Sequence, residues 1–366
     1  MKAEEYMAMA IELAKDGIGK VNPNPLVGAV VVKESNIIGM GFHEQYGGLH
    51  AERNALQNCN TSPNGSTLYV TLEPCCHYGK TPPCTEAIIE SGIQKVVIGC
   101  LDANEKVAGK GVAILQKAGI EVVVGVLEKE CKALNEIFFH YIQHKTPFVL
   151  MKYAMTMDGK ITTITSDSKW ITNEKSRENV HKTRNQYTGI MVGVGTILAD
   201  NPNLTCRIKG GRNPIRIICD SHLRTPLTSQ VIDTKEVKTI IATTNKDTNL
   251  HKQYIDRGVE IVETSSENGK VNLKELMEIL GRKGMDSILL EGGASLNFSA
   301  LESEMVHKIQ CYIAPKIFGG TTAKTPVMGD GFQAVSNQIQ LVNSKTIHFD
   351  EDFMIESEVQ YVHRHH

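Results

Sequence analysis

Apolar positions along this chain follow two rhythms, one returning every third or fourth residue and one every second residue. Over residues 3–15, Met7, Ala10, Ile11 and Ala14 fall at helical spacing, which predicts an amphipathic opening helix. Gly17, Gly19, Pro23 and Pro25 then break the pattern. The apolar runs 26–32 and 37–42 predict a hairpin that turns at Glu34-Ser35-Asn36. After them come a helix from about His50 to Cys59, a strand over 67–72, a helix over 85–91 and a strand over 95–99. A helix over 111–118 and a strand over 121–124 continue the alternation, which predicts a three-layer α/β sandwich. One closing helix is expected over 128–142, with a linker over 143–147.

Beyond Pro147 the pattern restarts. Strands are predicted over 148–155, 188–193, 214–219, 238–243, 258–263, 287–290, 309–314 and 353–359, and helices over 174–185, 273–282 and 294–301. The two halves share no repeat, and 366 residues suffice for two cores. The expected domains are 1–145 and 146–366.

Charge and cysteine content narrow the function. The formal charge is −2 and the cations are dispersed, so no basic stripe offers itself to nucleic acid. Nine cysteines, an odd number scattered along a chain with no leader pattern, read as reduced thiols in a cytoplasmic protein. No apolar run approaches the roughly 18 residues of a membrane span. The expected partner is therefore a small-molecule substrate, with neither nucleic acid nor membrane; a homo-oligomer is also expected, though nothing in the composition sets its size. The closing run His363-Arg364-His365-His366 is assigned no function.

The chemistry concentrates first in His50-Ala51-Glu52, Pro74-Cys75 and Cys84. One histidine and two cysteines make a zinc triad, and a glutamate two residues from the histidine can carry protons without joining the metal. Zinc brings the pKa of water to roughly 7, which hydrolytic loss of ammonia from a heteroaromatic ring requires. The usual signature closes as P-C-x-x-C, whereas here a longer loop separates Cys75 from Cys84. Cys76 and His77 could supply a fourth ligand, so the residues alone leave a structural zinc open.

In the second half, Met157-Asp158-Gly159-Lys160, Gly193-Val194-Gly195-Thr196 and Glu291-Gly292-Gly293 each follow a predicted strand. Singly, each glycine pair is more often a turn than a phosphate site. Together, at strand ends of one sheet, they predict a shared cleft. No G-x-G-x-x-G occurs, so an ordinary Rossmann fingerprint is absent. Ser168, Trp170, Arg184 and Arg207 are further candidates. Trp170 could equally be a core aromatic, and an isolated arginine is by default a solvated charge.

These motifs, with Asn22-Pro23-Asn24-Pro25-Leu26-Val27-Gly28, Thr71-Leu72-Glu73-Pro74-Cys75 and Gly79-Lys80-Thr81-Pro82-Pro83-Cys84, resemble the bifunctional deaminase/reductase family of riboflavin biosynthesis over essentially the whole chain. The long loop before Cys84 is similar to this family's own pattern; Cys76 departs from it, since the family often has serine there. The resemblance implies a cytidine-deaminase-like domain followed by a dihydrofolate-reductase-like domain. The first would deaminate 2,5-diamino-6-ribosylamino-4(3H)-pyrimidinone 5′-phosphate, and the second would reduce the ribosyl group to ribityl with NADPH. It implies His50, Cys75 and Cys84 as zinc ligands, Glu52 as proton carrier, and Asn24 and His43 on the pyrimidine. Ala154, Trp170, Thr196, Asp200 and the segment from Gly293 would meet NADPH. Ser168, Arg184, Leu204, Arg207 and Glu291 would hold the phosphorylated substrate, and Lys152 would lie near the point of hydride transfer. The alternative is a nucleic-acid base deaminase fused to a nucleotide-binding domain; its HAE and PC motifs would look alike.

Overall fold

The computed structural model describes residues 1–79, 81–104 and 108–361; Lys80 and the closing His363–His366 run lie outside the described residues. The chain divides into two compact units, Met1–Lys145 and one that begins at Thr146.

In the first unit α1 (Ala3–Lys15) leads into β1 (Gly28–Lys33) and β2 (Asn36–Phe42), then α2 (Ala51–Gln57), β3 (Thr67–Leu72), α3 (Cys84–Glu90) and β4 (Lys95–Cys100). α4 (Lys110–Lys117), β5 (Glu121–Val124), α5 (Glu128–Leu134) and α6 (Glu136–His144) complete it. The sheet order is β2-β1-β3-β4-β5. Alternate side chains of one strand serve opposite layers: Ala29 and Val31 pack with Ala51, Ile88 and Leu115, whereas Val30 and Val32 pack with Met7, Ala10 and Phe138. Helices thus cover both faces, the sandwich that the alternation predicts. Gly28 is where α1 crosses closest; a Cβ there would lie 1.9 Å from the Ala10 carbonyl oxygen.

The closing helix expected over 128–142 is instead two, broken at Asn135. The Asn135 side chain accepts from the Leu26 N–H and donates to the Leu26 carbonyl, both at 2.8 Å. A buried amide that serves a distant strand's backbone in this way costs the helix its continuity and fixes the segment that carries Asn24.

The second unit runs β6 (Phe148–Thr156), α7 (Glu174–Gln186), β7 (Gly189–Gly193), α8 (Val194–Asp200), β8 (Ile215–Cys219), β9 (Thr239–Thr243), α9 (Thr248–Ile255), β10 (Glu260–Glu263) and the short pair β11 (Ser266–Glu267) and β12 (Lys270–Val271). It closes with α10 (Leu273–Arg282), β13 (Ser287–Leu290), α11 (Ala294–Glu302), β14 (Lys308–Ala314), β15 (Gln340–Phe349) and β16 (Asp352–Gln360). Nine strands form one sheet in the order β10-β9-β8-β7-β13-β6-β14-β16-β15. Pairing is parallel from β10 to β14 and antiparallel at β16 and β15. α10 and α11 pack on one face, while Ile197 of α8 and Tyr254 of α9 pack on the other. β13 sits between β6 and β7, so the carboxyl ends of these three strands open at one edge. In parallel sheets such an edge holds ligands.

The patterning does not predict α8, α9 or β15. The glycines of Gly193-Val194-Gly195 read as a loop, yet Gly193 is the residue that precedes a helix beginning at Val194. α9 is short and polar, and Asp247 caps it by accepting from the Asn249 and Leu250 amides. β15 is exposed along nearly all of its ten residues, so no buried face imposes alternation on it.

Candidate active sites of the two units

His50 is extended, with φ −76° and ψ 162°, and immediately precedes α2, whose first turn carries Glu52. Cys75 follows the end of β3, and Cys84 opens α3. These placements bring His50 Nδ1 to 3.4 Å from the Sγ of Cys75 and 3.4 Å from that of Cys84. The Cys84 amide also donates to Cys75 Sγ at 3.3 Å. Tetrahedral zinc with bonds of about 2.1 Å to nitrogen and 2.3 Å to sulfur needs such atoms about 3.6 Å apart. The donor set and its spacing therefore fit zinc. Among the described residues, these three alone form a group that could hold a metal, and neither Cys76 nor His77 belongs to it. Three protein ligands leave a coordination position open, as catalytic zinc requires.

The Cys75 thiol is pulled well down, first by its hydrogen bond with Cys84 and also by that with His50, so thiolate is available. Glu52 is 3% exposed, and its carboxyl is pushed up to about 7, by burial first and then by Cys75. Such a group can both accept and return a proton near neutrality. His43 is held below its ordinary value by burial. Its Nδ1 lies 2.9 Å from the Leu49 carbonyl oxygen, and its Nε2 lies 3.2 Å from Asn24 Nδ2. A neutral ring that donates from Nδ1 and accepts at Nε2 fits both contacts. Asn24, His43, His50, Glu52 and Cys75 together line a cavity of about 320 Å³.

Asp102 and Asn104 line the same cavity and were not candidates from sequence. They follow the carboxyl end of β4, and that position was the available signal. Burial pushes the Asp102 carboxyl up to about 6.

In the second unit two cavities meet at Asp200. One, of about 540 Å³, is lined by Gly193, Thr196, Asp200 and Gly293. Thr196 and Asp200 are one turn apart on α8 and share a face. The other, of about 480 Å³, is lined by Lys152, Ser168, Arg184, Leu204, Arg207 and Glu291. Ala154 and Trp170, expected on the cofactor, line this second cavity. Trp170 is 59% exposed, which removes the core reading, and the Arg177 guanidinium sits 4.7 Å from its ring centroid.

The pairing of Leu290 with Met151 sets Glu291 beside Lys152. Glu291 accepts from Arg184 Nε at 2.7 Å and Nη2 at 3.0 Å, and from Lys152 Nζ at 3.5 Å. Burial alone would raise this carboxyl; Arg184 and Lys152 outweigh it and hold it at about 2. Arg184 also donates to the Thr205 carbonyl at 3.0 Å. Three of its five N–H groups thus meet protein acceptors, and Arg207 is the arginine of this pair that engages no carboxylate among the described residues. The Asp158 carboxylate accepts from Thr156 Oγ1 and from the Phe318 and Gly319 amides, so Met157-Asp158-Gly159-Lys160 is a turn that anchors a second loop.

The first unit is built as a zinc-dependent deaminase, and the second as a reductase of the dihydrofolate-reductase type. Residues 1–100 match the cytidine and deoxycytidylate deaminase zinc-binding region, and residues 147–354 match the RibD C-terminal domain. The riboflavin biosynthesis protein RibD of Actinobacillus pleuropneumoniae is 53% identical, across 96% of this chain and 94% of that one. The Thermotoga maritima diaminohydroxyphosphoribosylaminopyrimidine deaminase/5-amino-6-(5-phosphoribosylamino)uracil reductase superposes with a TM-score of 0.86 at 41% identity, covering 98% and 99% of the two chains. Acinetobacter baumannii RibD gives 0.88 at 34% identity, with the same coverage. The chain belongs to the RibD family, the bifunctional deaminase/reductases of riboflavin biosynthesis. Its cofactors are zinc and NADPH. A nucleic-acid base deaminase does not fit a chain whose second half matches the RibD reductase domain. No described helix is long and apolar enough to cross a membrane.

Proposed function

We propose that His50 Nδ1 and the thiolates of Cys75 and Cys84 hold the zinc, and that Glu52 carries the proton of the deamination. The observation behind this is His50 Nδ1 at 3.4 Å from each thiol, all three donors within 4.8 Å of one another, with a buried, proton-ready carboxyl beside them. Zinc bound there supplies a water acidic enough to attack the ring carbon at neutral pH. Glu52, buried beside the three donors, would take up a proton at its carboxylate and pass it to the amino nitrogen that leaves as ammonia. His43 and Asn24, locked to each other, present fixed polar atoms to the pyrimidine edge.

The deaminated product is the substrate of the second unit, 5-amino-6-(5-phosphoribosylamino)uracil. Thr196, Asp200 and the start of α11 at Gly293 would hold NADPH in the cavity they line, where it would supply the hydride for the opened sugar. Ser168, Arg184, Leu204, Arg207 and Glu291 would hold the phosphorylated substrate in the adjoining cavity that they line together, with Arg184 and Glu291 also bound to each other. Ala154 and Trp170, which line this second cavity, would contact NADPH from there. The domain limits are 1–145 for deamination and 146–366 for reduction. The protein acts in the cytoplasm, where its nine free cysteines stay reduced. It acts as a homo-oligomer: β15, the edge strand beside β16, leaves Leu341 and Ile347 44% and 45% exposed among the described residues.

The test is one reaction on the diaminopyrimidine ribosylamine phosphate, with and without NADPH, following ammonia and NADPH together. Ammonia should appear in both tubes, and NADPH should be consumed only after it. Glu52→Gln should keep its zinc and lose deamination by about 10²–10⁴-fold. Wild-type ammonia release from that variant would overturn the assignment.

A further inference from the structure

α7 turns one face to the reductase substrate cavity. Arg177, His181 and Arg184, at positions i, i+4 and i+7, all line it. The helix is anchored in place: Val180 packs on Tyr312 and Met354, Asn179 donates to the Tyr312 hydroxyl at 2.7 Å, and Ser176 donates to Asp352 at 2.8 Å. Arg177 is engaged with the Thr172 carbonyl and the Trp170 ring, and Arg184 with Glu291. That leaves His181, to which the reaction described above gives no task.

The two ring nitrogens of His181 differ. Nδ1 is buried and has no hydrogen-bond partner among the described residues, whereas Nε2 is not buried in this way. A neutral imidazole carries a single N–H, and an N–H without an acceptor in the interior forfeits its hydration with nothing in return. The proton therefore belongs on Nε2, which leaves Nε2–H as a donor on a cavity wall. Burial, followed by the cations Arg184 and Arg207, holds this ring at about 4, so it is neutral through the physiological range. The surroundings point to the acceptor. Lys152, Lys169, Arg177, Arg184 and Arg207 line the cavity against only Asp200 and Glu291, a surplus of positive charge that suits an anion. The backbone adds a link, since the Cys206 thiol donates to the His181 carbonyl at 3.4 Å, next to Arg207 in sequence.

We propose that His181 Nε2–H is a substrate-binding donor to the 5′-phosphate of the reductase substrate, acting with Arg207. This rests on the reading of the cavity as the site of the phosphorylated pyrimidine.

The experiment uses the full-length, zinc-loaded protein and follows NADPH oxidation. Its substrates are 5-amino-6-(5-phosphoribosylamino)uracil and the dephosphorylated counterpart. His181→Phe removes the donor and keeps the bulk; His181→Gln restores an N–H near the Nε2 position; Arg207→Ala reports on the cavity itself. His181→Phe should raise KM for the phosphorylated substrate about tenfold or more, with NADPH affinity and thermal melting unchanged. His181→Gln should stay within about threefold of wild type, and on the dephosphorylated substrate all three proteins should converge. If His181→Phe leaves KM unchanged while Arg207→Ala raises it, the role of His181 is overturned and the cavity reading stands. If neither changes KM, the cavity reading itself is wrong. Equal losses in Phe and Gln, or a His181→Phe loss that persists without the phosphate, would also overturn the proposed donor. A variant that melts early is judged by the Gln protein and by NADPH binding.

Discussion

Glu291 is the residue on which the reductase cavity is organised. It receives two charge-assisted hydrogen bonds from Arg184 and a longer contact from Lys152, with its side chain only 12% exposed. Its carboxyl is held at about 2, below the ordinary value of about 4.3 for glutamate. A carboxyl lowered by folding stabilises the protein above its unfolded pKa and loses that contribution as pH falls through the folded one. Glu291→Gln should thus cost about 3 kcal/mol in urea unfolding at neutral pH, chiefly because two cations lose their partner. The gap to wild type should hold from about pH 8 to 5 and close between about 4 and 2. A gap independent of pH down to 2 would mean that the pair carries no such stability. Sequence could nominate Glu291 and Arg184 separately as substrate holders. It could not show that they spend their hydrogen bonds on each other, because 107 residues separate them.

Elements of strong periodicity were legible. The strand expected over 67–72, the helix over 273–282 and the strand over 287–290 are β3, α10 and β13 to the residue. What escaped has a physical cause in each case. A tertiary hydrogen bond breaks α5 from α6, a glycine that caps disguises α8, and missing burial leaves β15 without a pattern. The zinc triad was readable because its ligands cluster in sequence. Asp102, His181 and the pairing of Arg184 with Glu291 were not, because they depend on which loops the sheet brings together. At this scale Gly28 is the sharpest test. Its φ is ordinary and only space demands glycine, since α1 lies against it. Gly28→Ala should lower the unfolding free energy of the first unit by about 1–3 kcal/mol and reduce deamination at raised temperature. An unchanged urea midpoint would mean that α1 can shift outward without cost.

Across the whole molecule, each unit owns its core and its cofactor site. Zinc removal by a chelator should abolish ammonia release and leave NADPH oxidation intact when the deaminated substrate is supplied. Parallel loss of both would tie the reductase fold to the metal, against the separation of the two cores. The cations are dispersed along the chain, but Lys152, Lys169, Arg177, Arg184 and Arg207 line the reductase cavity, the place proposed for the phosphate.

β13 fills the middle of the nine-stranded sheet although it is among the last strands to be made. Every residue proposed for the zinc, the proton and the pyrimidine lies within Asn24–Cys84, and the fold of the first unit closes by residue 145, so a growing chain can complete it early. The second unit must wait. Until Ser287–Leu290 has been synthesised, β6 and β7 lack the strand that joins them, and Lys152 and Arg184 lack their carboxylate. Two parallel strands with open inner edges invite foreign pairing in the interval. Synthesis thus follows the order of the chemistry: the chain can fold the unit that releases ammonia well before the unit that consumes NADPH.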